Sequence, residues 1–286
     1  MDAVSDDGRC GLSVIAFVGS VFSPYYYWAG RKQPENHVAF NVALYTPKKK
    51  YWTMTERSRS ALDRDAARFA VGPSAMAWDG QTLRLELNER TTPWFQPLRG
   101  TITLHAEALN PELFTLDAHG RHRWRPIAPF ARVEVDFTHP ALRFKGHGYF
   151  DTNEGDEPME AGFDTWDWSR ASLSDGAGVL YDVIRKGGER ASLAFKFDKS
   201  GRAERFDPPL RRPLPGTFWG VDRAVQAETE PKLVRTLEDT PFYVRSQLET
   251  TLLGETVEAV HESMSLPRFA SPIVKLMLPF RMPRLG

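Results

Sequence analysis

The chain has 286 residues, and its 37 Lys plus Arg are matched by 37 Asp plus Glu, so the formal charge is zero and a broad nucleic-acid surface is excluded. Hydrophobic residues at 41% and aromatics at 12% supply a buried core, which excludes a disordered chain, and the length suits one large domain or two ordinary ones. With Cys10 as the one cysteine no internal disulfide can form, as in a reducing compartment.

In chain order, residues 12–22 form an apolar run too short to span a bilayer, and Asp2, Asp6 and Asp7 ahead of it carry the wrong sign for a secretory leader. No later stretch is long and apolar enough to span, so a soluble or peripheral, cytoplasmic protein is expected. Residues 60–69, with Leu62, Ala66 and Phe69 at helical spacing, predict the one short helix. Elsewhere the period is two. Leu83, Leu85 and Leu87 alternate with polar residues after the Asp79-Gly80 turn signal. Val179, Tyr181 and Val183 predict one strand, and Leu193, Phe195 and Phe197 share a face of the next. Residues 242–252 and 255–265 read as two long strands around Gly254. Turn signals at intervals of about ten residues predict an all-β, antiparallel sandwich or barrel and not a βαβ protein. A seam is expected within residues 164–175, after the loop from Asn153 to Pro158, and divides 1–165 from 166–286.

From Ser263 onward there is no acidic residue, while Arg268, Lys275, Arg281 and Arg284 are interleaved with Ile273, Val274, Leu276, Met277, Leu278 and Phe280. Pro272, Pro279 and Pro283 prevent a long helix. The segment reads either as a tail docked on the core or as an interfacial anchor whose cations meet anionic headgroups.

The sequence has no Gly-x-Gly-x-x-Gly, no phosphate loop ending in Gly-Lys-Ser/Thr and no Gly-x-Ser-x-Gly elbow. His119 and His122, three apart, point to opposite faces of a strand, so no metal site is expected from them or from Asp136, His139 and His147 nearby. His122 and Trp124 are two apart, as are Tyr149 and Asp151, so each pair shares a strand face. If both faces line one pocket, an imidazole, an indole, a phenol and a carboxyl converge, a set suited to acid catalysis through a cation. Spacing alone favours an ordinary half-buried strand pair, with Asp151 starting the turn before Asn153 and Gly155.

A longer set of runs carries more. Phe17-Val18-Gly19-Ser20-Val21-Phe22-Ser23-Pro24-Tyr25-Tyr26, Pro34-Glu35-Asn36-His37 and Asn41-Val42-Ala43-Leu44-Tyr45 are followed by Met54-Thr55-Glu56-Arg57 and Gly72-Pro73-Ser74. Then come His122-Arg123-Trp124 with Pro126-Ile127-Ala128-Pro129, Gly148-Tyr149-Phe150-Asp151-Thr152-Asn153, and Trp166-Asp167-Trp168-Ser169-Arg170. In these the chain resembles the carotenoid 1,2-hydratases, or hydroxyneurosporene synthases, of photosynthetic bacteria, densely over residues 10–170 and more thinly beyond.

The resemblance implies two lipocalin-like β units and a cofactor-independent hydro-lyase. Such an enzyme adds water to the terminal C1,2 double bond of an acyclic carotenoid such as neurosporene or lycopene, giving a 1-hydroxy carotenoid. It implies His122, Trp124, Tyr149 and Asp151 as the functional residues. Asp151 is the expected acid, protonating C2 and leaving a tertiary cation at C1. An ordinary Asp titrates at about 3.9, so the acid form at neutral pH needs a rise of roughly three units, about 4 kcal/mol, which desolvation beside a hydrocarbon can supply. A charged His122 would oppose that rise, so a neutral His122 is expected to hold the water or relay its proton. Trp124 and Tyr149 would present π faces to the cation, and the roles of His122 and Tyr149 are interchangeable at this level. The partners implied are the carotenoid, water and the surface of the bacterial inner or photosynthetic membrane, met peripherally from the cytoplasmic side. The alternatives are a lipocalin-like carrier of apolar ligands and a related pericyclase, neither of which needs a carboxyl among aromatic rings.

Overall fold

The computed structural model describes residues 1–285. Strands dominate, in a 14-stranded sheet, a seven-stranded sheet and a two-stranded ribbon, and almost every pairing is antiparallel. The all-β class expected from the alternating sequence is the class observed. Helices are short and number more than the one expected: Pro24–Trp28, Met159–Gly162, Leu266–Ala270 and Pro272–Met277. The last two stop where the prolines of the C-terminal segment require it. Among the described residues no helix is long and apolar enough to cross a membrane.

The chain divides into two compact units, each assembled from separated segments. The first holds Met1–Glu107, Ala131–Phe150 and the chain from Lys275, and the second holds Ala108–Phe130 and Asp151–Val274. This differs from a single cut between 1–165 and 166–286. The expected seam at 164–175 instead carries the continuous strand Phe163–Leu173 of the second unit. The division passes through two long neighbouring strands, His122–His139 and Ala141–Gly155, so each strand serves both units.

In the first unit, Thr82–Arg90 shows how alternation builds the sheet. Leu83, Leu85, Leu87 and Glu89 are buried, and Arg84, Glu86 and Asn88 are not. Asp79 starts this strand, its Oδ1 accepting the Gln81 and Thr82 amides at 2.9 and 2.7 Å, with Gly80 at φ +101° in the turn. Buried Glu89 is compensated by Arg57 at 2.8 Å and by the Ser74 hydroxyl at 2.7 Å.

Residues 60–69 are not a helix. They form a short 3-10 turn, Arg59–Ala61, and then the strands Leu62–Arg64 and Arg68–Val71, paired antiparallel. The Asp65 side chain accepts the amides of Ala67 and Arg68 at 2.7 and 2.8 Å, which closes a tight turn in the middle of the apparent helical repeat.

The seven-stranded sheet lies wholly in the second unit. Phe163–Leu173 sits between Gly176–Arg185 and Glu255–Ser265, and both of its faces are buried. One face carries Ala171, Leu180, Ala194, Leu248 and Ala259, covered by Leu214, Val225 and Ala227 from around the ribbon Arg211–Pro213 and Ala224–Gln226. The other carries Trp166, Tyr181, Phe195 and Phe197, all buried. This second face bears the aromatic cluster described next.

Candidate functional site

The strand from His122 buries His122, Trp124, Pro126 and Ala128 on one side and leaves Arg121, Arg123 and Arg125 on the other. Two of the outward arginines have acidic partners in the following segment: Arg121 bonds Glu157 at 2.6 Å, and Arg123 bonds both oxygens of Asp156 at 2.7 and 2.8 Å. Those pairs hold the loop after Gly155 against the start of the strand.

Trp124 and Asp151 are brought together. The fully buried indole donates from Nε1 to Asp151 Oδ2 at 3.0 Å. A second donor meets the same oxygen, Asn153 Nδ2 at 3.3 Å, and the Tyr181 hydroxyl donates to Asn153 Oδ1 at 3.2 Å. Around the indole stand Tyr181, Phe114, Phe197 and Phe195, with ring centroids at 4.9, 5.3, 6.1 and 6.3 Å. Trp166 packs edge-on to Tyr181 at 5.2 Å and to Phe163 at 5.1 Å. A half-buried carboxyl therefore sits at the margin of an aromatic cluster, which suits a cationic apolar species.

His122 is buried but makes no hydrogen bond to Asp151 among the described residues. Its ring lies against Phe163 at 4.8 Å, and Glu157 Oε1 is 3.5 Å from Nε2, too long for a good hydrogen bond. Nε2 is a buried polar atom with no hydrogen-bond partner, which is where a water would be held. Two glycines make room for the ring: a Cβ on Gly162 would stand 2.8 Å from Nε2, and one on Gly155 would stand 3.1 Å from Nδ1. Its amide is anchored separately, donating to Asp117 Oδ1 at 2.7 Å.

Tyr149 is fully buried two positions before Asp151 on the same strand, but by contact it belongs to the first unit, where it pairs with Asp2. His119 is exposed in the turn before the strand. Among the described residues no group of three or more His, Cys, Asp and Glu side chains is arranged to hold a metal ion. Sequence spacing did not single out Asn153, Phe114 or Tyr181 for the site. The clue available for Tyr181 was its place on the strand face shared with Val179 and Val183.

The opposite face of the same sheet carries a buried polar network. Asp167 and Asp182 are cross-strand partners, and Arg211 donates to Oδ2 of each at 3.1 Å. Ser263 donates to the other oxygen of Asp167. Burial pushes the Asp167 carboxyl up to about 6 against the pull of Ser263 and Arg211, and the charge of Asp182 adds to the rise. Two guanidinium bonds and a hydroxyl bond make this a cross-braced structural pair, while the carboxyl beside the aromatic rings is Asp151.

Over residues 14–286 the sequence matches the family described as carotenoid hydratase CrtC. It is similar to the acyclic carotenoid 1,2-hydratase of Thiocapsa roseopersicina, 54% identical over 100% of this chain and 72% of that protein. It is likewise similar to the acyclic carotenoid 1,2-hydratase of Rubrivivax gelatinosus, 50% identical over 99% of this chain and 72% of the relative. Among solved structures, an AttH-type protein of Nitrosomonas europaea superposes with a TM-score of 0.61 over 92% of this chain and 89% of that one. At 15% identity that likeness is one of fold alone.

Proposed function

Since the chain belongs to the carotenoid hydratase family and is a hydro-lyase, we propose that it hydrates the terminal C1,2 double bond of an acyclic carotenoid such as neurosporene or lycopene, with Asp151 as the acid and no cofactor. The observation that carries this reading is the Trp124 bond to Asp151, which ties a carboxyl to the edge of an aromatic cluster.

The steps balance without a further reactant. The Asp151 hydroxyl gives its proton to C2, the C1–C2 π electrons form the new C–H bond, and a tertiary cation remains at C1. Water adds its lone pair to C1, and its surplus proton returns to Asp151 through His122 or directly. Trp124 and Tyr181 present aromatic rings beside the carboxyl, and a desolvated cation–π contact is worth about 2 kcal/mol. Tyr149, buried on the same strand as Asp151, is assigned to the cation or to the water. His122 is assigned to the water on the strength of its unpartnered Nε2.

The substrate is a hydrocarbon, so the protein is proposed to work peripherally, at the cytoplasmic side of the membrane that holds it. Exposed Ile273, Leu276 and Phe280 support that reading. The test is incubation of the purified protein with lycopene or neurosporene in liposomes, without added cofactor and with a chelator present. The expected product is heavier by one water. No product from wild type, or equal product from folded Asp151→Asn, overturns the assignment.

A further inference from the structure

Four side chains of the second unit form a closed circuit. Tyr181 donates to Asn153 Oδ1 at 3.2 Å, Asn153 Nδ2 donates to Asp151 Oδ2 at 3.3 Å, and Trp124 Nε1 donates to the same oxygen at 3.0 Å. The circuit closes because the indole of Trp124 packs against the ring of Tyr181 at 4.9 Å and 64°. Tyr181 is held in turn by Trp166, edge-on at 5.2 Å.

We infer that Asn153 and Tyr181 are a positioning pair that orients the carboxyl of Asp151 and stabilises the carboxylate left after proton transfer, an inference that rests on Asp151 being the acid. In a carboxylic acid one oxygen accepts and the other carries hydrogen. Two N–H donors converge on Oδ2, which makes it an accepting oxygen. The Tyr181 hydroxyl sets the orientation of the amide. With its carbonyl engaged by Tyr181, Asn153 turns its NH2 to the carboxyl; flipped, it would set one oxygen against another.

The same bonds strengthen during the reaction. Before proton transfer the donors meet a neutral carbonyl oxygen, and afterwards they meet a carboxylate, where hydrogen bonds are roughly twice as strong. Stabilisation that appears as charge develops raises kcat and leaves substrate binding nearly unchanged. Asn153 and Tyr181 thus act through Asp151, and their effect should be confined to turnover.

The experiment compares wild type with Asn153→Ala, Tyr181→Phe, the double variant and Asp151→Asn, in hydration of lycopene supplied in liposomes. Asn153 is exposed and Tyr181→Phe keeps the ring, so all the test variants are expected to fold, and circular dichroism checks this. Asn153→Ala is expected to lower kcat about tenfold or more, and Tyr181→Phe about threefold to tenfold, with KM within about twofold for both. The double variant is expected to match Asn153→Ala alone, because the Tyr181 hydroxyl acts only by aiming the amide. A merely structural role would multiply the two effects instead. If Asp151→Asn is inactive while the other variants keep wild-type kcat, change only KM or combine multiplicatively, the positioning pair is overturned and the acid stands. If Asp151→Asn retains turnover, the acid assignment fails, and the inference with it.

Discussion

Asp167 and His261 stand one diagonal step apart on neighbouring strands of the second unit, and burial moves their proton affinities in opposite directions. Asp167 is opposite Ser263 in the register and Ser169 is opposite His261. Burial raises the Asp167 carboxyl from 3.8 to about 6 and lowers the His261 imidazole from 6.5 to about 4. The histidine drop is opposed by the Ala224 carbonyl, which lies 2.9 Å from Nε2, and deepened by Arg223 and Arg211.

The signs of these shifts predict a flat stability profile. Asp167 binds a proton in the fold that it releases when unfolded, so its contribution is full below pH 3.8 and is lost as pH rises through about 6. His261 is neutral in the fold and protonated when unfolded, so its contribution is full above pH 6.5 and is lost as pH falls through about 4. Each window spans about two units, or about 3 kcal/mol, and between pH 4 and 6 the two slopes cancel. Urea midpoints for wild type are therefore expected to vary little over that range. His261→Gln should lose stability as pH rises, and Asp167→Asn should gain it. A wild-type slope as steep as either variant's would rule out the opposition.

Trp124 has two separable contributions, a ring and a donor. Trp124→Phe keeps an aromatic face beside Tyr181 and Phe114 but loses the Nε1 bond to Asp151, so hydration is expected to fall about tenfold. Trp124→Ala should fall further and lose roughly 3–5 kcal/mol of stability, since the side chain is fully buried. Single-turnover rates of the two folded variants check the order. Equal rates for Phe and wild type would show that the donor contributes nothing.

What the sequence revealed follows the range of the interactions. Strands such as Thr82–Arg90 were legible because alternation is local, and so was the turn at Asp79-Gly80. The apparent helix at 60–69 failed because Leu62, Ala66 and Phe69 satisfy a helical period by coincidence, while the Asp65 side chain closes a turn between two strands. His122, Trp124, Tyr149 and Asp151 were visible as same-face pairs, but their meaning came from resemblance, and spacing could not show that Trp124 donates to Asp151 from 27 residues away. Asn153 went unnoticed because its orienting partner Tyr181 is 28 residues away on another strand. Asp167, between two tryptophans, took its character from Arg211 and Ser263, 44 and 96 residues along the chain.

Gly162 sets the position of His122. A methyl group there would lie 2.8 Å from Nε2 and 3.1 Å from Cδ2, so the imidazole must move. The backbone at Gly162 has no left-handed φ, and its carbonyl accepts the Lys186 amide at 2.9 Å, a bond that alanine preserves. Gly162→Ala is expected to cut hydration about tenfold while its unfolding free energy stays within about 1 kcal/mol of wild type. Gly155→Ala, with its nearest ring atom at 3.1 Å, should do less. Unchanged turnover in folded Gly162→Ala would show that the present placement of His122 is not used.

The C-terminal segment decides how the proposed membrane contact works. All four of its cations are engaged within the protein. Arg268 donates to the carbonyls of Trp219 and Gly220 at 2.6 and 2.9 Å, and Arg284 pairs with Glu56. Lys275 is buried with its ammonium 5.0 Å from the ring centroid of Tyr27, and Arg281 lies 4.5 Å from that of Trp52. Leu266, Phe269, Val274, Leu278 and Met282 are buried, and Arg284–Leu285 adds a parallel strand beside Glu56–Arg57. Removing the segment would strip core contacts, so truncation tests stability more than docking. Arg268 is exposed but its guanidinium is held by the carbonyls of Trp219 and Gly220, and the large apolar side chains Ile273, Leu276 and Phe280 are 72%, 64% and 79% exposed. Docking by these side chains depends on buried hydrocarbon area, so flotation with liposomes should change little between about 0.05 and 0.5 M salt, or between neutral and anionic lipid. Leu276→Asp with Phe280→Asp should lower the bound fraction at least about tenfold and leave the thermal midpoint unchanged, because neither side chain is part of the core. Binding that disappears with salt yet survives both aspartates would return the contact to cations elsewhere on the surface and end the apolar reading.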